Sequence, residues 1–145
     1  MARRSRIIRT IWTVCLLLAA GNHASILIRH GLLWDYGKVG WASALYWSSL
    51  TLIDPIVAAL LFIRPRLGIG ATVVLIATNV AHNLAVAARY SSGGDLLTRI
   101  WSSPILLSQI GFLVFVLLTA RAAWLGAARG SIGPEPIRRA LSEAA

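Results

Sequence analysis

The chain has 145 residues, of which 57% are hydrophobic and only 13% are charged, and its mean hydropathy is +0.72. That balance excludes an ordinary soluble domain and leaves room for little beyond one small bundle of membrane helices. The net charge of +9 comes from 14 Lys and Arg against 5 Asp and Glu. Because the arginines gather at the ends of apolar runs, they point to topology control and anionic lipid headgroups, not to nucleic acid.

In chain order, a basic stretch from Met1 to Arg9 precedes a first span over residues 10–28. A cleaved signal peptide is the competing reading. Asn22 stands where cleavage needs a small residue, and apolar sequence resumes at Ile26, so an uncleaved helix is expected. A connection from Arg29 to Gly40 follows, with turn chemistry at Gly31, Gly37 and Gly40. The second span, 41–63, is broken only by hydroxyl residues and by Asp54-Pro55. Proline removes a donor and crowds the carbonyl of Thr51, which predicts a kink.

A tight Arg64-Pro65-Arg66 turn leads to the third span, 67–88. There Ala77, Ala81 and Ala85 recur at four-residue spacing, as a close helix–helix contact would use. Between Ser91 and Ser103, Asp95 is placed to cap a short surface helix with Leu96, Leu97, Ile100 and Trp101 on one face. The fourth span covers 104–124. The predicted fold is thus an all-α integral membrane protein, an up-and-down four-helix bundle over residues 1–125. A short tail follows over 126–145, with a weak amphipathic helix expected over 136–144. Each span is long enough to cross a hydrocarbon core of about 30 Å.

Arginine placement orients the bundle. With the N-terminus inside, Arg3, Arg4, Arg6, Arg9, Arg64, Arg66, Arg121, Arg129, Arg138 and Arg139 are cytoplasmic, and only Arg29, Lys38, Arg89 and Arg99 lie outside. The bias places both termini in the cytoplasm and argues against a dual-topology dimer. Trp12 and Trp124 fall near the inner interface, and Trp34, Tyr36, Trp41, Tyr90 and Trp101 near the outer one. The arginine- and alanine-rich composition resembles that of proteins from GC-rich bacteria, and so points to a bacterial plasma (inner) membrane.

Depth gives the most specific signal. Asn22 and His23 in the first span, Ser48 and Thr51 in the second, Asn79, His82 and Asn83 in the third, and Ser108 and Gln109 in the fourth lie at similar heights. Counted at helical rise, all sit roughly 17–24 Å from the cytoplasmic end, with Asp54 a turn deeper at roughly 14 Å. Asn79, His82 and Asn83 share one face at i, i+3 and i+4, and Trp47, Thr51, Asp54 and Ala58 form a stripe on the second span. Polar side chains in hydrocarbon are costly and usually face a bundle interior or mark a site. The candidate ligand-binding set is therefore Asp54, His82, Asn79, Asn83, His23, Asn22, Thr51, Gln109 and Trp47. Asp54 reads either as a proton-exchanging or cation-binding group or as structural glue tied to His82, Asn79 or a serine.

His23 and His82 on parallel, diagonal helices raise the alternative of bis-histidine haem b, which the polar surroundings disfavour; no cofactor is expected. The histidines lack metal-site spacing, so no metal is expected, and His30 reads as a solvated loop residue. Cys15 is the only cysteine, which excludes an intrachain disulfide and suits a small packing residue.

Four spans, a polar residue just before a proline in the second (Asp54-Pro55) and a histidine in the third (His82) resemble the layout of EXPERA-type proteins. That group includes sterol isomerases and lipid-binding relatives. The resemblance implies an acid–base pair of His82 and Asp54 acting on a membrane lipid. The residues themselves favour binding, or helping to move, a small amphipathic or cationic molecule, with membrane lipids as neighbours. A non-catalytic accessory subunit, with a second copy or another membrane subunit as partner, is a third reading.

Overall fold

A computed structural model describes residues 2–32, 34–37, 39–90 and 95–129. They form α1 (Ala2–His30), α2 (Trp41–Ile63), α3 (Pro65–Arg89), α4 (Leu96–Ser102) and α5 (Pro104–Arg129). The helix expected over 136–144 and the Ser91–Gly94 turn lie outside the described residues.

Local chemistry sets the helix ends. α1 stops at Gly31, whose φ of +81° is open to glycine without strain and whose N–H returns 2.9 Å to the Leu27 carbonyl. α3 opens on Pro65, where a missing N–H costs nothing. Asp95 caps α4 as expected, accepting from the Thr98 N–H at 2.7 Å. Ser103 does the same for α5 through the Leu106 N–H at 3.3 Å. α2 runs through Pro55 as one helix.

α1, α2, α3 and α5 are each long and apolar enough to cross a membrane. α1 packs on α2, α2 on α3, α3 on α5 and α5 back on α1. This ring is the four-span, up-and-down bundle expected from the sequence, with α1 and α3 diagonal. Its core is built from Trp12 and Leu16 of α1, Val57 and Leu61 of α2, Ile69 and Ile76 of α3, and Val116 and Ala123 of α5. Leu52 and Leu118 point outward and are largely exposed, as lipid-facing residues are.

Three expectations are corrected. Trp12 is completely buried rather than at an interface, because it shares the inward stripe Ser5, Arg9, Trp12, Leu16 and Ala20 of α1. Ala77, Ala81 and Ala85 are exposed and do not form the close helix contact. Gly68 forms it instead, since a Cβ there would run into the backbone of Leu60 and Leu61. His30 is exposed as expected but closes α1 instead of lying in the loop, and it stacks on Trp34 with ring centroids 4.1 Å apart.

Candidate functional site

The arginine-rich end of the bundle, carrying Arg9, Arg64 and Arg66, is the basic end; the end carrying Gly31 and α4 is the far end. Asn83 of α3 is the hub of the polar layer. Its Oδ1 accepts from the Trp47 indole N–H of α2 at 2.8 Å. Its Nδ2 donates to Gln109 Oε1 of α5 at 2.8 Å and to Asn79 Oδ1 one turn away at 3.2 Å. Three of the residues singled out by depth, with Trp47 from the stripe on the second span, are thus joined across three helices. Satisfied amides of this kind fix helix register in a medium that offers no water.

His82 lies beside this hub, not within it. Its ring packs on Tyr46 at 4.5 Å and edge-on to Trp47 at 5.5 Å. The Tyr46 hydroxyl and His82 Nε2 are both buried without a hydrogen-bond partner. An aromatic run continues from Trp47 to Tyr36 at 4.9 Å, to Trp34 at 4.6 Å and on to His30. Sequence reasoning overlooked Tyr46; its place eight residues before Asp54, on the same helix face, was the available signal.

Asp54 is 3% exposed and has no hydrogen bond or ion pair among the described residues. The Trp47–Asn83 bond fixes the α2–α3 register, so Asp54 lies seven residues, or roughly 10 Å of helical rise, from the level of Trp47. The structure therefore does not bring Asp54 and His82 together as an acid–base pair. Thr51, one turn nearer the hub, buries its Oγ1 unpartnered.

Asn22 and His23 meet the layer from α1. Together with Asn79, Ser108 and Gln109 they form the polar part of a cavity of about 340 Å³ between α1, α3 and α5. Cys15, Leu18, Ala19, Ile76, Ile105 and Phe112 supply its apolar wall. Asn22 is exposed at the rim, and His23 is half-buried, with Nδ1 enclosed and lacking a partner. Bis-histidine ligation needs two imidazoles facing one void, whereas His82 packs against α2 aromatics and does not line this cavity. Among the described residues, no three His, Cys, Asp or Glu side chains converge to hold a metal ion.

The polar groups have a definite sense. Asn83 Nδ2 donates to the oxygens of both Asn79 and Gln109, which leaves the NH2 groups of those two amides as donors. Ser108 gives its own proton back to the Ile105 carbonyl at 2.8 Å. The cavity thus offers amide donors from Asn79 and Gln109, acceptor oxygens on Ser108 and Asn22, and one imidazole, with apolar walls around them.

The basic end holds an element that the sequence did not reveal. Arg9 is 9% exposed; its Nη1 donates to the Leu61 carbonyl of α2, and its guanidinium lies 5.5 Å from the Phe62 ring centre. Ser5, one turn earlier, donates to the Ala123 carbonyl of α5 at 2.7 Å. No protein-family model, curated protein or solved structure matches this chain.

Proposed function

We propose that this multi-pass membrane protein binds a small amphipathic molecule in the cavity between α1, α3 and α5. The observation that carries the reading is the cavity itself. Its size falls within the range of ligand pockets, its wall is mostly apolar, and it ends on convergent polar groups from Asn22, His23, Asn79, Ser108 and Gln109. The head of the ligand lies against His23, Asn79 and Gln109, and its apolar body against Leu18, Ile76 and Phe112. Amide donors beside the acceptor oxygens of Ser108 and Asn22, with no carboxylate in the lining, suit an uncharged head that both accepts and donates, such as a hydroxyl or an amide. The membrane is read as a bacterial plasma membrane with the basic end on the cytoplasmic side, supported by the arginine bias.

Mass spectrometry of organic extracts from protein purified in detergent tests this. The wild type and a lipid-facing Leu52→Ala control retain a small amphiphile in fixed ratio to protein. Ala19→Phe, which fills the cavity, loses it, and His23→Leu retains less. Identical extracts from all four proteins would overturn the reading.

Proton exchange at Asp54 is a second reading, favoured by one observation: a nearly fully buried aspartate without a hydrogen-bond partner among the described residues. Natural chains keep such groups at a stability cost mainly where they are used.

A further inference from the structure

At the basic end, α1, the α2–α3 turn and the last turn of α5 enclose a cleft of about 650 Å³. Four arginines line it: Arg6, Arg9, Arg64 and Arg66. The described residues contain three acids, Asp35, Asp54 and Asp95; two flank the far-end helices and Asp54 lies within α2, so none lines this cleft.

Two observations show more than a charged membrane margin. Arg9 is nine-tenths buried and lines the cleft; its Nη1 serves the Leu61 carbonyl and its Nε is sealed inside the protein, while its other terminal nitrogen makes no hydrogen bond among the described residues and is not sealed off. An arginine paid for in this way by desolvation, with a donor left over, is poised for an anion. The second observation is the start of α3. Arg64 gives it no side-chain cap, and the Gly68 N–H returns to the Arg64 carbonyl at 2.9 Å. The Arg66 and Leu67 N–H groups, on residues that line the cleft, are left without an in-helix acceptor. An uncapped helix start beside four guanidinium groups matches the donor set that phosphate oxygens accept from. Arg66 also lies 5.9 Å over the Trp124 ring, a face contact that leaves its edge donors available.

Phe62 and Leu67 share the cleft with the arginines and are about half exposed, so charged and apolar walls adjoin. We infer that this cleft is a binding site for a phosphate group, supplied by the headgroup of an anionic lipid whose chains run along Phe62 and Leu67. The site is separate from the cavity proposed above.

Isothermal titration of the full-length protein in dodecyl maltoside micelles tests the inference, with dihexanoyl phosphatidic acid as the probe. The expected result is saturable binding, absent with dihexanoylglycerol, which carries the same chains without the phosphate. Inorganic phosphate separates the sources: a lipid ligand resists displacement by it, whereas equal affinity for the free ion assigns the site to soluble phosphates. Arg64→Gln/Arg66→Gln lowers the affinity about tenfold or more, the scale of losing charge-assisted hydrogen bonds. Arg4→Gln/Arg121→Gln removes the same net charge outside the cleft and changes it less than about twofold. Should the first double variant fail to fold, Arg6→Gln against Arg4→Gln makes the same comparison. Equal losses in the paired variants, or equal binding of dihexanoylglycerol, would overturn the inference.

Discussion

The Arg9 guanidinium of α1 closes the end of α2 by donating to the carbonyl of Leu61. α2 ends at Ile63, so Leu61 is among the last carbonyls without an in-helix donor, and the residue four positions on is Pro65, which has no N–H to offer. A side chain from a neighbouring helix replaces the missing bond and sets a positive charge at a helix C-terminus, where the dipole favours it. Arg9→Met should destabilise the bundle by about 2–3 kcal/mol, and Arg9→Lys by less because a donor remains. Unfolding in mixed detergent micelles measures both. Equal stability of Arg9→Met and wild type would remove this role.

Gly68 is predicted to be the least replaceable glycine among the described residues. Gly68→Ala forces α2 and α3 apart at Leu60 and Leu61, at a cost of about 1–3 kcal/mol for overpacking. Gly70→Ala, with open space at the added Cβ, should be neutral or slightly stabilising. Comparing the two melting temperatures decides the point.

Asp54 should behave as a residue retained for use rather than for stability. Replacing a buried, unpartnered carboxyl with an apolar group of similar reach removes a desolvation penalty, so Asp54→Leu is expected to raise the melting temperature. Asp54→Asn should fold normally yet fail in any proton-coupled activity. A clear loss of stability in Asp54→Leu would show instead that the carboxyl acts as structural glue.

Asp95 makes α4 sensitive to acid. The backbone hydrogen bond from Thr98 holds its carboxyl below the usual aspartate range. A depressed folded pKa means that the cap is at full strength above the unfolded value of 3.8 and is lost as pH falls through the lower folded value. Amide hydrogen exchange over residues 96–102 should therefore quicken at pH values below 3.8 after correction for intrinsic rates. Asp95→Asn, which caps without titrating, should abolish that dependence.

The proposed orientation is testable on intact cells. In a Cys15→Ser background, an impermeant maleimide should modify Asp35→Cys at the far end and spare Arg4→Cys at the basic end. The reverse pattern would invert the topology.

Span number, ring order and the α4 cap were legible because each rests on a local rule: the length of an apolar run, loop length, or Asp before a helix. The polar layer was legible through depth, and Trp47, Asn79, Asn83 and Gln109 do meet. Helix rotation was not legible. In a soluble bundle the core face is the apolar one, but here both core and lipid faces are apolar, so polarity does not say which side turns inward. For that reason the alanine row of α3 was assigned to a contact it does not make, Gly68 was overlooked, and Arg9 was read as a surface charge. The Asp54–His82 pairing failed on register, which is fixed by a Trp47–Asn83 bond that no spacing within one helix encodes.

The single residue Arg64 joins α2 to α3, and Gly68 seats one helix directly on the other just beyond it. A connection that short cannot span any distance through a headgroup layer. The turn is therefore expected to make α2 and α3 enter the bilayer together, as one hairpin. Lengthening the turn with a Gly/Ser insert would uncouple their entry, and the first visible defect would be in insertion efficiency rather than in the finished bundle.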